Sequence, residues 1–166
     1  MEWVIVILAT VGVYSLVWYL NKSSRNKLAA KGRYVERGNA FFKQGHLFFT
    51  RIYDFSAIAW AIDKYALHEE KISFEPNVEH GQIVFRNMVS FGTFASRLQY
   101  LGQRNHDGMY AYRFQVEAWR EGQYGVTRQD ILGANVVLTM IERAILWLDP
   151  ATEVQRAAGE YKTKLF

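Results

Sequence analysis

The sequence predicts an α+β protein with an N-terminal transmembrane helix followed by one domain built on an antiparallel sheet. Three observations lead to this prediction. Residues 3–20 carry no charged side chain, several central segments alternate apolar with polar residues, and residues 131–148 repeat apolar residues at spacings of three and four. The domain is expected to contain about five strands in the order β-α-β-β-β-β-α, with its helices packed on one face of the sheet.

The composition limits both the number of domains and the chemistry. A chain of 166 residues has room for one domain plus an appendage, and a hydrophobic content of 50% with 16% aromatic residues favours a well-filled core. The chain has no cysteine. Disulfides, thiolate metal sites and cysteine nucleophiles are therefore excluded.

The net charge of +4 is concentrated in one segment. Residues 21–43 contain seven Lys and Arg residues against one Glu, whereas the chain from residue 44 onward contains 13 basic and 14 acidic residues. The domain is therefore close to neutral, and the basic character belongs to the segment that follows the apolar run.

The apolar run 3–20 is long enough to span a bilayer. A helix of this length rises about 27 Å, close to the roughly 30 Å hydrocarbon core. Trp3 at one end and Trp18 and Tyr19 at the other are typical of the aromatic residues that lie at the two interfaces. A cleaved signal peptide is less favoured because the only early charge is Glu2, and a core helix is less favoured because so small a domain could hardly surround it.

The orientation follows from the basic residues, which lie only on the C-terminal side of the apolar run. Because Lys and Arg near a span stay in the cytoplasm, the N-terminus is expected outside and the domain in the cytoplasm. The same cations would meet anionic lipids, whereas a nucleic-acid partner is not expected because no recognition module follows. Contacts with lipid headgroups are therefore predicted for Trp3, Trp18, Tyr19, Lys22, Arg25, Lys27 and Lys31.

Four regions are predicted along the chain. They are a transmembrane helix (1–20), a basic juxtamembrane linker that can begin as a continuation of that helix (21–45), a cytoplasmic α+β domain (46–149) and a C-terminal helix or tail (150–166). Glycines among polar residues mark the linker, and the strand-like segment that starts at His46 marks the beginning of the domain.

The first half of the domain is expected to form a strand, a helix and a hairpin. The strand covers residues 46–53, and the helix runs from the capping residue Asp54 to about residue 67. Its apolar stripe consists of Phe55, Ile58, Ile62 and Tyr65. Two β-prone segments, 71–75 and 82–88, then form a hairpin around a turn at residues 76–81.

A second hairpin is predicted from residues 94–101 and 109–120, which both alternate apolar and polar side chains. A three-residue loop, 106–108, with Gly108 in the left-handed conformation keeps both apolar faces on the same side of the sheet. This register pairs Leu98 with Val116 and sets Arg97 opposite Glu117.

A long helix and a final helix complete the prediction. The segment from Thr127 to Asp130 resembles a capping box and begins a helix that reaches Leu148. Its narrow polar edge consists of Arg128, Asn135, Thr139 and Glu142. Asp149 and Pro150 would then start a short helix with an apolar stripe at Val154, Ala158 and Tyr161.

The sequence contains no recognisable catalytic or cofactor motif. None of the four histidines has metal-ligand spacing, and phosphate-binding and nucleophile-elbow motifs are missing. No metal, cofactor or enzymatic activity is therefore predicted. If the chain were an enzyme, the pairs His106 with Asp107 and Asp54 with His46 would be the first to inspect.

Two tryptophans, Trp60 and Trp119, fall on the polar sides of their predicted helix and strand. Exposed aromatic residues often mark contact surfaces, so both are candidates for a partner surface unless a further layer of the fold covers them. The leading hypothesis is a membrane-anchored interaction module that binds a protein partner or a second copy. The alternative is a small apolar-ligand or lipid-binding domain, with a cavity lined by Phe94, Tyr110, Tyr112 and Phe114.

Overall fold

The computed structural model describes residues 2–65, 72–87, 94–119 and 126–159. The chain divides into two compact units, Met1–Val35 and Glu36–Phe166. The first contains one apolar helix, and the second contains an antiparallel sheet with helices. The predicted α+β class is therefore confirmed, with differences in the number and order of the elements. The expected end of the first domain helix at about residue 67 and the apolar position Tyr161 lie outside the described residues.

The first unit is built on helix α1 (Glu2–Ala30), which covers the apolar run and continues beyond Leu20. Its apolar side chains are exposed, including Trp3 at 81% and Tyr19 at 64%. By length and composition, the segment Trp3–Ala30 could cross a membrane, with a mean hydropathy of 2.0 in its most apolar window. A signal sequence has the same properties.

The second unit contains three helices and six strands among the described residues. In chain order they are α2 (Phe41–Gln44), β1 (His46–Thr50), α3 (Phe55–Tyr65), β2 (Ile72–Asn77), β3 (Gln82–Asn87), β4 (Phe94–Gln103), β5 (Tyr110–Trp119), α4 (Arg128–Leu148) and β6 (Glu153–Gln155). The spatial order of the strands is β2-β3-β4-β5-β1-β6, and all neighbours are antiparallel.

The core lies between the sheet and the helices α3 and α4. From the predicted apolar stripes of the two helices, Ile58, Ile62, Leu138 and Ile141 are fully buried in this core. Helix α4 is also apolar enough to cross a membrane, but 61% of its window is buried inside this unit. It is therefore the central helix of the core, as its continuous apolar seam predicts.

The predicted caps of α3 and α4 both form. Asp54 Oδ1 accepts a hydrogen bond from the backbone N–H of Ser56 at 2.9 Å, and Thr127 Oγ1 accepts one from the N–H of Asp130 at 3.1 Å. These bonds satisfy first-turn N–H groups that have no partner within the helix.

The hairpin of β2 and β3 lies at one edge of the sheet. Pro76 is part of β2 and pairs with Ile83, so the turn is shorter than predicted and consists of residues 78–81. Because proline has no N–H to donate, an edge strand is where it is tolerated in a sheet.

The β4–β5 hairpin forms, but its predicted register is wrong by two residues. Leu98 pairs with Phe114, and Val116 pairs with Ser96. The ladder contains irregularities at positions 95/96 and 100/102. The strand β4 ends at Gln103 and β5 begins at Tyr110, so the connection is longer than the predicted three-residue loop. Each irregularity also changes the pairing beyond it, so a register counted from that loop does not hold. Between the two irregularities the register differs from the predicted one by an even number of residues. Both apolar faces therefore still point into the core.

Two details of this hairpin follow the prediction. Gly108 has a φ of 70°, and Arg97 Nη2 lies 2.8 Å from Glu117 Oε2. The ion pair forms diagonally, since the backbone of Arg97 pairs with Gln115.

The predicted C-terminal helix is wrong, because the segment after Pro150 forms β6 against β1. Asp149 was expected to cap that helix. Its carboxylate instead accepts hydrogen bonds from Thr50 Oγ1 and the N–H of Arg51, both at 2.8 Å, at the end of β1. These bonds, the backbone one first, lower the pKa of Asp149 and tie the end of α4 to the sheet.

The folded unit begins before the domain boundary expected at residue 46. Helix α2 packs on β5, and the side chains of Phe41 and Phe42 are fully buried in the core. At the following Gly45, φ is 71° and ψ is −177°, and a Cβ atom would meet the carbonyl oxygen of Phe114. The end of the segment expected to be a linker is thus part of the core.

Candidate functional site

Trp60 of α3 forms an exposed aromatic pair with Trp147 of α4. The two side chains are 52% and 48% exposed, and their ring centroids lie 5.9 Å apart. The pair therefore bridges the outer faces of both helices. The sequence indicated Trp60, but not Trp147, as a candidate contact residue.

Lys64 completes this surface. It follows Trp60 by one helical turn, and its Nζ atom lies 4.7 Å from the ring centroid of Trp60 and 5.8 Å from that of Trp147. A cation above an indole face is attracted by the ring quadrupole, which holds the two rings and the ammonium group together. We call Trp60, Lys64, Trp147 and the exposed neighbouring residue Asp63 the tryptophan surface.

Trp119, the other predicted partner residue, has different neighbours. Its ring meets Phe42 of α2 edge to face at 5.4 Å, and the side chain is partly buried against the core. The further layer of the fold that covers Trp119 is α2. The apolar pair Phe41 and Phe42 inside a polar segment was the signal for it.

A cluster of buried polar side chains lies where the chain enters the folded unit. Arg37 donates hydrogen bonds to Asn135 Oδ1 at 2.8 Å, Thr139 Oγ1 at 2.7 Å and Glu142 Oε2 at 2.5 Å. The other carboxylate oxygen of Glu142 accepts a hydrogen bond from Arg156. Glu142 thus ties the segments before α2 and after β6 to the same helix. The sequence analysis did not predict this cluster.

The electrostatics of the cluster depend on this pairing. Burial tends to raise the pKa of Glu142, but hydrogen bonds from Arg156 and Arg37 outweigh it and the pKa is lowered. His46 is 2% exposed, with Nδ1 3.0 Å from the carbonyl oxygen of Gly45. Burial lowers its pKa, and the nearby cations Arg37 and Arg156 act in the same direction. These surroundings therefore favour the charged form of the Glu142 carboxylate and the neutral form of the His46 imidazole.

The outer face of the sheet is polar and crossed by ion pairs. Besides Arg97 with Glu117, Arg86 lies 3.6 Å from Glu75, and Arg104 contacts both Asp107 and Glu153. Arg104 also lies 4.2 Å from the ring centroid of Phe49. Such a face is typical of a solvated sheet surface rather than of an apolar docking face.

In both pairs of residues considered for catalysis, the carboxylate is bound by another residue. The carboxylate of Asp107 is bound by Arg104, which lowers its pKa to about 2, and the exposed His106 lies 3.8 Å away. Asp54 binds Ser56, while His46 contacts Gly45. Within residues 2–65, 72–87, 94–119 and 126–159, no group of three or more His, Asp or Glu side chains could hold a metal ion.

The predicted headgroup residues lie on α1 and just beyond it. Lys22 Nζ lies 4.9 Å from the ring centroid of Trp18. An open groove on α1 runs from this pair past Tyr19 to Lys27, with Ser23 and Asn26 as further polar lining. Arg25 and Lys31 are exposed. The helix therefore carries aromatic rings followed by ammonium groups, the order found at a membrane interface.

Comparison with known proteins finds no match, since no protein-family model, no curated protein and no solved structure is significantly similar to this chain.

Proposed function

We propose that this protein is a single-pass, membrane-anchored interaction module whose folded unit binds a protein partner, or a second copy, in the cytoplasm. The observation that carries the proposal is the exposed pair Trp60 and Trp147 with Lys64 above it. Interface hot spots are enriched in tryptophan, and an anchor raises the local concentration of such a surface near membrane partners.

The anchor is α1. Its apolar side chains are exposed within their unit, and the lipid bilayer is the partner that would remove them from water. Trp3, Trp18 and Tyr19 would lie at the two interfaces, with Lys22, Arg25, Lys27 and Lys31 at the headgroups of the inner leaflet. This topology leaves the N-terminus outside and the folded unit in the cytoplasm.

A role in binding rather than catalysis is favoured by the chemistry of the folded unit. The buried charged groups Arg37 and Glu142 pair with each other instead of facing a cleft, and the exposed Arg156 binds the same carboxylate. No cofactor and no nucleic acid is part of the proposal.

The alternative of an apolar-ligand or lipid-binding domain has less support. Phe94, Tyr112 and Phe114 are almost completely buried, and Tyr112 stacks on Phe55 with 5.9 Å between ring centroids. The hydroxyl group of Tyr112 donates a hydrogen bond to the carbonyl oxygen of Ile52 at 2.8 Å. These aromatic rings pack against one another as core residues.

Photocrosslinking in native membranes tests the proposal. A photoreactive amino acid at Trp60 is compared with the same probe at Trp119 and at the exposed sheet residue Gln115. We expect a specific protein adduct from position 60 and little from position 115. Recovery of lipid alone, or the same adducts from all three positions, would contradict a protein-binding role of the tryptophan surface.

A further inference from the structure

The charges of the tryptophan surface are arranged in a fixed order across α3. Because a helix turns about 100° per residue, Lys64 lies about 40° to one side of Trp60 and Asp63 about 60° to the other. Lys64 is on the side of α4, where its Nζ atom approaches Trp147. The surface therefore presents an acid, an indole and a base in sequence.

Both charged groups lie on the outer surface of α3. Asp63 and Lys64 are exposed, and neither forms an ion pair with another described residue. They also do not satisfy each other, since adjacent residues of a helix do not face one another. On the sheet face, by contrast, Arg86, Arg97 and Arg104 each have a carboxylate partner.

A surface with an acid on one side of an aromatic centre and a base on the other is complementary to itself. A two-fold axis beside Trp60 sets Asp63 of each copy opposite Lys64 of the other, with the indoles packed between the two pairs. We infer that the partner of the tryptophan surface is a second copy of this chain. The inference rests on the proposed function, because it names the partner of the same surface.

The size of the surface indicates where this pairing occurs. Two half-exposed indoles supply at most roughly 250 Å² per copy, while a stable interface buries about 800 Å² on each side. The dimer is therefore not expected to form in dilute solution. Two copies anchored in one membrane share a high effective concentration, so the small self-complementary contact is expected to form there.

Thiol crosslinking of the full chain in liposomes tests the inference. The natural chain has no cysteine, so a single introduced thiol reports one position. Ser56 lies one turn before Trp60 and is exposed, and Gln115 is exposed on the sheet face. With a flexible bismaleimide, Ser56→Cys is expected to give a dimer, and Gln115→Cys is expected to remain monomeric.

Charge exchange makes the test specific for self-pairing. In the Ser56→Cys background, Asp63→Lys or Lys64→Asp replaces attraction by repulsion at both symmetry-related contacts, and we expect each to lower the dimer yield roughly tenfold. The double variant Asp63→Lys/Lys64→Asp restores the opposite charges and should return the yield to within about twofold of the parent. The unfolding midpoints of all three variants serve as the control for folding.

Two results would overturn the inference. One is a Ser56→Cys protein that stays monomeric in liposomes, and the other is a double variant that dimerises no better than the single ones. If the photoreactive probe at Trp60 captures a different protein in native membranes, the second copy is excluded while the proposed function stands. Capture of lipid alone would contradict both.

Discussion

Glu142 is the residue on which both ends of the folded unit converge. Its side chain is 7% exposed and binds Arg37, whose side chain is 5% exposed, and also Arg156. Two charges removed from water are tolerated only when their mutual attraction and hydrogen bonds compensate for the lost solvation. Asn135 and Thr139 provide the additional hydrogen bonds to the guanidinium group. The cluster therefore fixes the chain entry point to α4.

Arg37→Met should test the contribution of this ion pair. Removing one partner leaves a buried carboxylate with half of its hydrogen bonds, and we expect the free energy of unfolding to fall by about 3 kcal/mol. Urea denaturation in detergent micelles, followed by tryptophan fluorescence, measures the change. The exposed Arg113→Met is the matched control and should stay within about 0.5 kcal/mol of the parent. A loss below about 1 kcal/mol in Arg37→Met would contradict the account.

The lowered pKa of the buried His46 determines how the free energy of unfolding should change with pH. Its folded-state pKa lies below the ordinary value of 6.5, so below that pH the unfolded chain binds the proton more readily than the folded one. Its contribution to stability is therefore fully present above pH 6.5 and is lost as the pH falls below this value. Urea denaturation at several values between about pH 5 and pH 8 should show a steeper fall for the parent than for His46→Leu. Equal slopes would be the contrary result.

The residues of this cluster could not be assigned from the sequence. Asn135, Thr139 and Glu142 were expected to form a polar edge of α4, and Arg37 was expected in a basic linker. The hydrogen bond from Arg37 to Asn135 spans 98 positions along the chain. A cation within a basic segment is normally solvated, and only the packing of α2 brings this one against α4.

At the scale of the elements, periodicity predicted more than chain pairing did. The helices α3 and α4 and the strands β4 and β5 could be predicted from the spacing of their apolar residues, because burial on one side imposes that period. The register of β4 on β5 was missed because bulges leave no clear mark in the alternation. The strand β6 was missed because Asp149 and Pro150 equally suit the start of a helix.

Gly45 should be essential for the connection between α2 and β1. Its φ of 71° with ψ of −177° belongs to a region that only glycine adopts readily, and a Cβ atom would also meet Phe114. We expect Gly45→Ala to lower the free energy of unfolding by about 3 kcal/mol or more. Gly102 has a φ of 112° with open space around it, so Gly102→Ala should cost roughly 1–2 kcal/mol. Thermal unfolding of both variants distinguishes the clash from strain alone, and equal losses would contradict this interpretation.

At the scale of the whole molecule, hydropathy alone does not distinguish the anchor from the core. The most apolar windows of α1 and α4 have mean hydropathies of 2.0 and 1.6. Burial separates them, because 61% of the window in α4 and 0% of the window in α1 is buried. The burial of α4 within the folded unit confirms its predicted place in the core, and α1 remains a candidate membrane span.

Removal of residues 1–20 tests the role of α1. We expect the shortened chain to move from the membrane fraction to the soluble fraction, because the exposed apolar surface of α1 is the main reason for membrane binding. The remaining basic residues give only salt-sensitive binding to anionic lipids. Sedimentation of membranes at low and high salt measures the distribution. Unchanged membrane binding at high salt would show that α1 is not the anchor.

Cysteine accessibility tests whether α1 stays uncleaved as a membrane anchor and whether the folded unit lies in the cytoplasm. Single cysteines are placed at Glu2 and at Gln115 and treated with a membrane-impermeant maleimide in intact and in permeabilised cells. This topology predicts that Glu2→Cys is labelled in intact cells, that Gln115→Cys is labelled only after permeabilisation, and that both proteins retain residues 1–20. Labelling of Gln115→Cys in intact cells, or a protein that begins after residue 20, would contradict it.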